Sequence, residues 1–212
     1  MGLKYNCIIL MVLVLIAIYR SFLAFAEEKK SFVDEFNSPK LNSVWNIKAR
    51  NGGCFINDWR SGRLMLISSR VEEGVYLNYN REINERDKVT FEAKLDTSDL
   101  TDDINIGFAD QIMTPADSGE LAKHILWGVA IVRGGWWTRV EDGFKEGKFQ
   151  KGWHVFSLKI DTSFIELCID GVYVGRKKSP PKPLYFYING DGTTNYYTAK
   201  TAIDYIRVNY ED

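Results

Sequence analysis

The chain has 212 residues and a formal net charge of −1, with 27 Lys and Arg interspersed among 28 Asp and Glu. That balance excludes a surface built for nucleic acid or for an anionic membrane, since either needs a basic excess. A single all-β domain of this length buries roughly two-thirds of its unfolded surface and needs no metal or disulfide to hold it.

Residues 1–26 differ in composition from the rest. Lys4 precedes an unbroken apolar run over 7–18, and Ala24-Phe25-Ala26 is a small-x-small cleavage site ahead of Glu27-Glu28-Lys29-Lys30. This is the pattern of a secretory signal, too short to span a bilayer comfortably. The alternative is an uncleaved N-terminal anchor, the one route by which this chain would meet a membrane. Both place the rest of the chain outside the cytoplasm, with 27–30 a short charged linker and 31–212 the domain.

From residue 31 onward the chain is expected to form short strands separated by turns. The domain opens with Ser31-Phe-Val-Asp-Glu-Phe-Asn37, followed by Leu41 and Trp45. Strands are expected over 63–69 and 74–79. Over 88–95 the alternation is strict, with Val89, Phe91, Ala93 and Leu95 on one face and Lys88, Thr90, Glu92 and Lys94 on the other. A period of two marks a half-buried strand. Ile104, Ile106 and Phe108 repeat it within 103–110.

The stretch 114–123 reads as a loop insertion with room for one helical turn. Strand-like runs over 125–133 and 136–140 flank Gly134-Gly135, which is hairpin chemistry. The runs 153–160, 164–169 and 172–176 form a meander whose second turn is Asp170-Gly171. Pro180, Pro181 and Pro183 lead rigidly into 184–189, and Gly190-Asp-Gly192 breaks that run before the closing strand over 201–210. Many short strands with turn signals between them give an all-β fold, a two-sheet antiparallel β-sandwich.

Few residue groups invite chemistry. Cys54 and Cys168 remain once the signal is removed, both in apolar strand contexts, and are expected as two buried free thiols. An oxidising compartment would permit a bridge between them. There is no CxxC or Cys/His cluster for zinc. Asp110, Asp117 and Glu120 lie near the insertion and read as solvated loop acids. Adjacent Glu141 and Asp142 would point to opposite faces of a strand, and Glu166 faces outward from one. His124 and His154 are the histidines, and no nucleophile elbow accompanies them.

Four segments resemble the concanavalin A-like lectin/glucanase jelly roll, a superfamily that includes glycoside hydrolase family 16 and laminin G-like domains. They are Phe32-Val-Asp-Glu-Phe-Asn37 with Trp45, Ser61-Gly-Arg-Leu-Met-Leu66, Lys159-Ile-Asp161 with Ile169-Asp-Gly-Val-Tyr-Val174, and Ala202-Ile-Asp-Tyr-Ile-Arg-Val208. The family 16 enzymes carry an alternating Glu-x-Asp-x-(x)-Glu strand, and retaining hydrolysis needs its two carboxyls about 5 Å apart. No such triplet occurs in this chain, so the reading leans away from an enzyme. The resemblance also implies a structural calcium joining the first and last strands. Asp204 would be its carboxylate, with Gly53 and the backbone around Asp34 as further donors.

Trp and Tyr present flat faces for sugar rings and a polar edge for hydrogen bonds. The candidate ligand-binding residues are Trp127, Trp136, Trp137, Tyr185 and Tyr187, with Arg133 and Arg139 flanking the tryptophans. Trp59, Tyr196 and Tyr197 are further aromatics of this kind. The sequence therefore leads to a secreted, non-catalytic, lectin-like domain whose partner is a glycan or polysaccharide held on a concave sheet. Its alternatives are a divergent glycoside hydrolase and a laminin G-like domain that binds protein. The sequence does not specify the oligomeric state.

Overall fold

A strand directs successive side chains to opposite faces, so alternating sequences bury every second residue once two sheets meet. The computed structural model describes residues 31–50, 53–68, 74–98, 103–114, 123–132, 134–191 and 199–211. In chain order the strands are β1 (Phe32–Asp34), β2 (Trp45–Arg50), β3 (Cys54–Asp58), β4 (Arg63–Ser68) and β5 (Gly74–Tyr79). Then come β6 (Lys88–Asp96), β7 (Asp103–Ala109), β8 (Ile125–Val132), β9 (Gly135–Val140) and β10 (Gly143–Lys148). The last five are β11 (Trp153–Ile160), β12 (Phe164–Ile169), β13 (Val172–Lys178), β14 (Tyr185–Asp191) and β15 (Ala199–Glu211).

One sheet has the order β13-β12-β11-β6-β15-β4-β3, with β1 also paired to β15, and the other runs β10-β9-β8-β7-β14-β5-β2. Every pairing is antiparallel. This is the two-sheet antiparallel β-sandwich expected from the sequence.

The core lies between the sheets. Val89, Phe91, Ala93 and Leu95 of β6 are buried, as are Ile104, Ile106 and Phe108 of β7 and Phe186 and Ile188 of β14. Phe91 of one sheet stacks on Phe186 of the other, with centroids 4.3 Å apart and planes 8° from parallel. Tyr79 meets Phe91 edge-on at 5.2 Å, and Phe108 lies 5.9 Å from both phenylalanines.

Strand β15 pairs along β6 on one side and shares its other side between β4 and β1. Its register shifts between Ile203 and Tyr205, a bulge of the kind that inserts one unpaired residue. The β12–β13 turn places Asp170 at φ 51° and Gly171 at φ 76°, the two positive φ values of a primed hairpin turn.

Two strands go beyond the sequence expectation, β2 and β10. The six residues of β10 are almost wholly exposed, so they carry no apolar period to read. Gly135 belongs to β9, opposite Val132, rather than to the turn. A Cβ there would stand 2.3 Å from the Gly147 carbonyl oxygen, so the close approach of β10 needs this glycine. Cys54 and Cys168 are both free, but Cys168 is only partly buried and Cys54 is exposed. It opens the edge strand β3, where no further strand covers it.

Truncating the inter-sheet stack should cost more than any surface change. Phe91→Ala is expected to lower unfolding stability by about 3–5 kcal/mol, read from urea unfolding midpoints at unchanged m-value.

Candidate functional site

Strand β7 fixes which residues of the seven-stranded sheet face away from the core. Ile104, Ile106 and Phe108 point inward, so Asn105, Gly107 and Ala109 lie on the outer face. The register carries that face across the sheet. One row runs from Trp137 through Ala130, Asn105 and Asn189 to Tyr76. The next contains Gly128, Gly107, Tyr187 and Asn78.

The two ends of this face differ. At the β5–β14 end the chain covers itself. Tyr76, Tyr187, Ala109 and Met113 form a small buried cluster of their own. Asn78 clamps the covering segment from beneath: its Oδ1 accepts from the Met113 N–H at 2.8 Å, and its Nδ2 donates to the Met113 carbonyl at 3.0 Å. Burial, with Tyr76 nearby, pushes the Tyr187 phenol well above its ordinary range.

At the other end the β9–β10 hairpin exposes aromatic surface. Trp137 is 41% and Phe144 56% exposed, and their rings stack at 5.8 Å with 25° between planes. Arg139 is the Cα partner of Phe144, and Glu146 that of Trp137, so all four side chains share the outer face. Among the described residues, neither the Arg139 guanidinium nor the Glu146 carboxylate meets a partner. Glu141, just beyond, is taken by Arg176 at 3.4 Å.

The sequence candidates therefore separate. Trp137 and Arg139 come together on the exposed hairpin. Trp136 turns inward and packs against the core, where its indole would stand 2.6 Å from a Cβ on Gly147. Trp127 is 4% exposed and donates its indole N–H to the Arg139 carbonyl. Tyr187 is 1% exposed; neither it nor Trp127 offers a stacking face. Tyr185 is half-buried and donates its hydroxyl to Glu82 at 3.3 Å. Trp59 is exposed on the connection after β3, with Arg60 over its ring. Arg133, Tyr196, Tyr197, Asp117 and Glu120 lie outside the described residues.

Phe144 and Glu146 escaped the sequence reading because β10 lacks alternation. The signal that would have found them is Asp142-Gly143, a hairpin dipeptide directly after β9.

The calcium donors expected from the sequence do not gather. Asp34 turns inward, accepting from the Phe36 N–H and from the Trp45 indole at 2.9 Å. Asp204 sits at the β15 bulge on the outer face, where Lys94 binds it at 2.7 Å. Gly53 lies in the β2–β3 turn against Gly74. Register sets the Asp34 backbone beside Ile206 and Gly53 level with the start of β15, while the Asp204 carboxylate is held by the Lys94 ammonium, so the expected donors do not share one coordination sphere. Among the described residues no group of three or more His, Cys, Asp or Glu side chains is placed to hold a metal.

Catalytic carboxylates fare similarly. The outward positions 105, 107 and 109 of β7 hold Asn, Gly and Ala. Asp110 follows the strand and lies 2.9 Å from His124 Nδ1 on an exposed rim, and Glu166 belongs to the other sheet.

Solved structures share this two-sheet β-sandwich fold at low sequence identity. A sialidase matches over 85% of this chain at TM-score 0.61 and 14% identity, although the chain spans only 18% of that protein. The Emp47p carbohydrate recognition domain matches over 86% of this chain and 98% of its own length, at TM-score 0.60 and 13% identity. A Bacillus licheniformis β-glucanase matches over 88% of this chain and 100% of its own, at TM-score 0.58 and 12% identity. No protein-family model matches the chain, and no curated protein matches it in sequence.

The Asn78 clamp is testable by itself. Asn78→Ala strands two Met113 backbone groups and should cost about 2–3 kcal/mol. Amide exchange at Met113 should accelerate with it, while exchange in β6 should change only as far as global stability does.

Proposed function

We propose that this chain is a secreted, non-catalytic carbohydrate-binding protein whose ligand rests on the β9–β10 hairpin. The observation that carries the reading is the exposed Trp137–Phe144 stack, flanked on the same face by Arg139 and Glu146, which have no partner among the described residues. Flat apolar surface beside free hydrogen-bonding groups suits a sugar ring, which has an apolar C–H face and a polar rim. The jelly roll shared with the Emp47p carbohydrate recognition domain supports the same role. The non-catalytic part rests on positions 105, 107 and 109, where alternation would otherwise present carboxylates. The signal-like pattern over 1–26 supports secretion.

A protein-binding role has one observation in its favour. Edge strand β3 exposes Phe55 and Ile56 at 44% and 49%, and such an edge can accept another strand. It lies on the other sheet from the hairpin, so the two readings are separable.

The test is a glycan array with reducing-end release read from the same wells. Binding without release is expected. Trp137→Ala should weaken binding at least about tenfold, whereas Trp59→Ala should leave it unchanged. Release of reducing ends would overturn the non-catalytic reading. Loss of binding with Trp59→Ala and not Trp137→Ala would move the site to the β3 side.

A further inference from the structure

Arg139 offers chemistry that a neutral sugar leaves unused. Several arginines on the other sheet and its connections are engaged: Arg207 by Glu92 at 2.8 Å, Arg176 by Glu141, and Arg60 and Arg63 over the rings of Trp59 and Trp153. Arg139 is exposed and has no such partner among the described residues. It stands two residues from Trp137 on one face of a strand, about 7 Å along it, and opposite Phe144 on the neighbouring strand.

A guanidinium at that spacing from an exposed indole fits a ring that carries its own carboxylate. The C–H face lies on the aromatic surface, and the carboxylate enters the planar fork through two parallel hydrogen bonds. Glu146 works in the other sense. Its carboxylate accepts from ring hydroxyls and repels a second anion, which disfavours densely sulfated chains and suits one carboxylate per ring.

We infer that the face formed by Trp137, Arg139, Phe144 and Glu146 selects uronic-acid sugars, with Arg139 as the specificity-determining residue. This rests on the carbohydrate-binding reading above and names the class of ligand for the same site.

The experiment is calorimetric titration of the full chain with hexasaccharides of glucuronate, galacturonate and mannuronate. Each is paired with its carboxyl-reduced, neutral form, and a sulfated neutral hexasaccharide completes the set. At least one uronate should bind, and its reduced form should bind about tenfold or more weakly. Arg139→Gln should erase that difference by weakening the acidic form about tenfold more than the neutral one, and added salt should narrow it in the native protein alone. Unfolding midpoints establish that the variant is folded.

Equal binding of acidic and reduced forms, or discrimination that survives Arg139→Gln, overturns the inference. So does tighter binding of the sulfated sugar than of any uronate. If neutral sugars bind through Trp137 without preference for acid, the uronate assignment falls and the carbohydrate reading stands. If no sugar binds, or Trp137→Ala changes nothing, both fall.

Discussion

The contact between Phe91 and Phe186 is the one on which the other arrangements depend. Each belongs to a central strand of its sheet, and their rings lie nearly parallel at 4.3 Å. A strand side chain can reach the opposite sheet only if its register places it inward. One such fixed pair therefore assigns the faces of β6 and β14 throughout, and a slip of one residue would turn every side chain over. Tyr79 and Phe108 extend the contact to the strands that flank β14. The outer face of the seven-stranded sheet follows from this inward choice. Tyr187 faces outward because Phe186 faces in, and Asn105 and Gly107 lie outside because Ile106 lies inside.

The other sheet resolves a conflict that the same rule creates. Strand β15 serves two partners on one side, β4 along its first part and β1 further on. The register shift around Asp204 separates the two stretches. Asp204 then meets Lys94, whose ammonium also lies 5.4 Å from the Trp153 ring. An acid at this point of the closing strand resembles a calcium ligand in sequence. In the fold it completes a surface ion pair with Lys94, whose ammonium stands where a bound cation would have to be.

What was legible in the sequence was whatever produces a period of two. Strict alternation over 88–95 gave β6 its extent to within one residue, and Asp170-Gly171 marked a turn that the structure builds with two positive φ values. Strand β10 was illegible for the same reason. It is exposed on both faces, so burial imposes no pattern, and its existence comes from pairing with β9. The site divided along this line. Trp137 could be recognised as one of an alternating Trp136-Trp137 pair, one turned in and one out. Tyr187 also faces away from the core, but alternation cannot tell an open outer face from one covered by the chain itself. The cover is set by Asn78 and Met113, residues 35 apart in sequence, and no local pattern connects them.

The division of the outer face also sets which aromatic residues stay exposed. A β-sandwich of this kind has two outward faces, and an aromatic residue on either is costly to leave in water unless something covers it. At the β5–β14 end Met113 covers Tyr76 and Tyr187, so those aromatics behave as core. At the β9–β10 end Trp137 and Phe144 stack on each other, and among the described residues Arg139 and Glu146 beside them have no charged partner. Their concentration on one hairpin, with the inward positions of that same hairpin packed or pared to glycine for close approach, separates the two duties of its residues. Trp136 and Gly147 fit the inner face of the hairpin to the sandwich, and the alternate positions carry the side chains that form the proposed site.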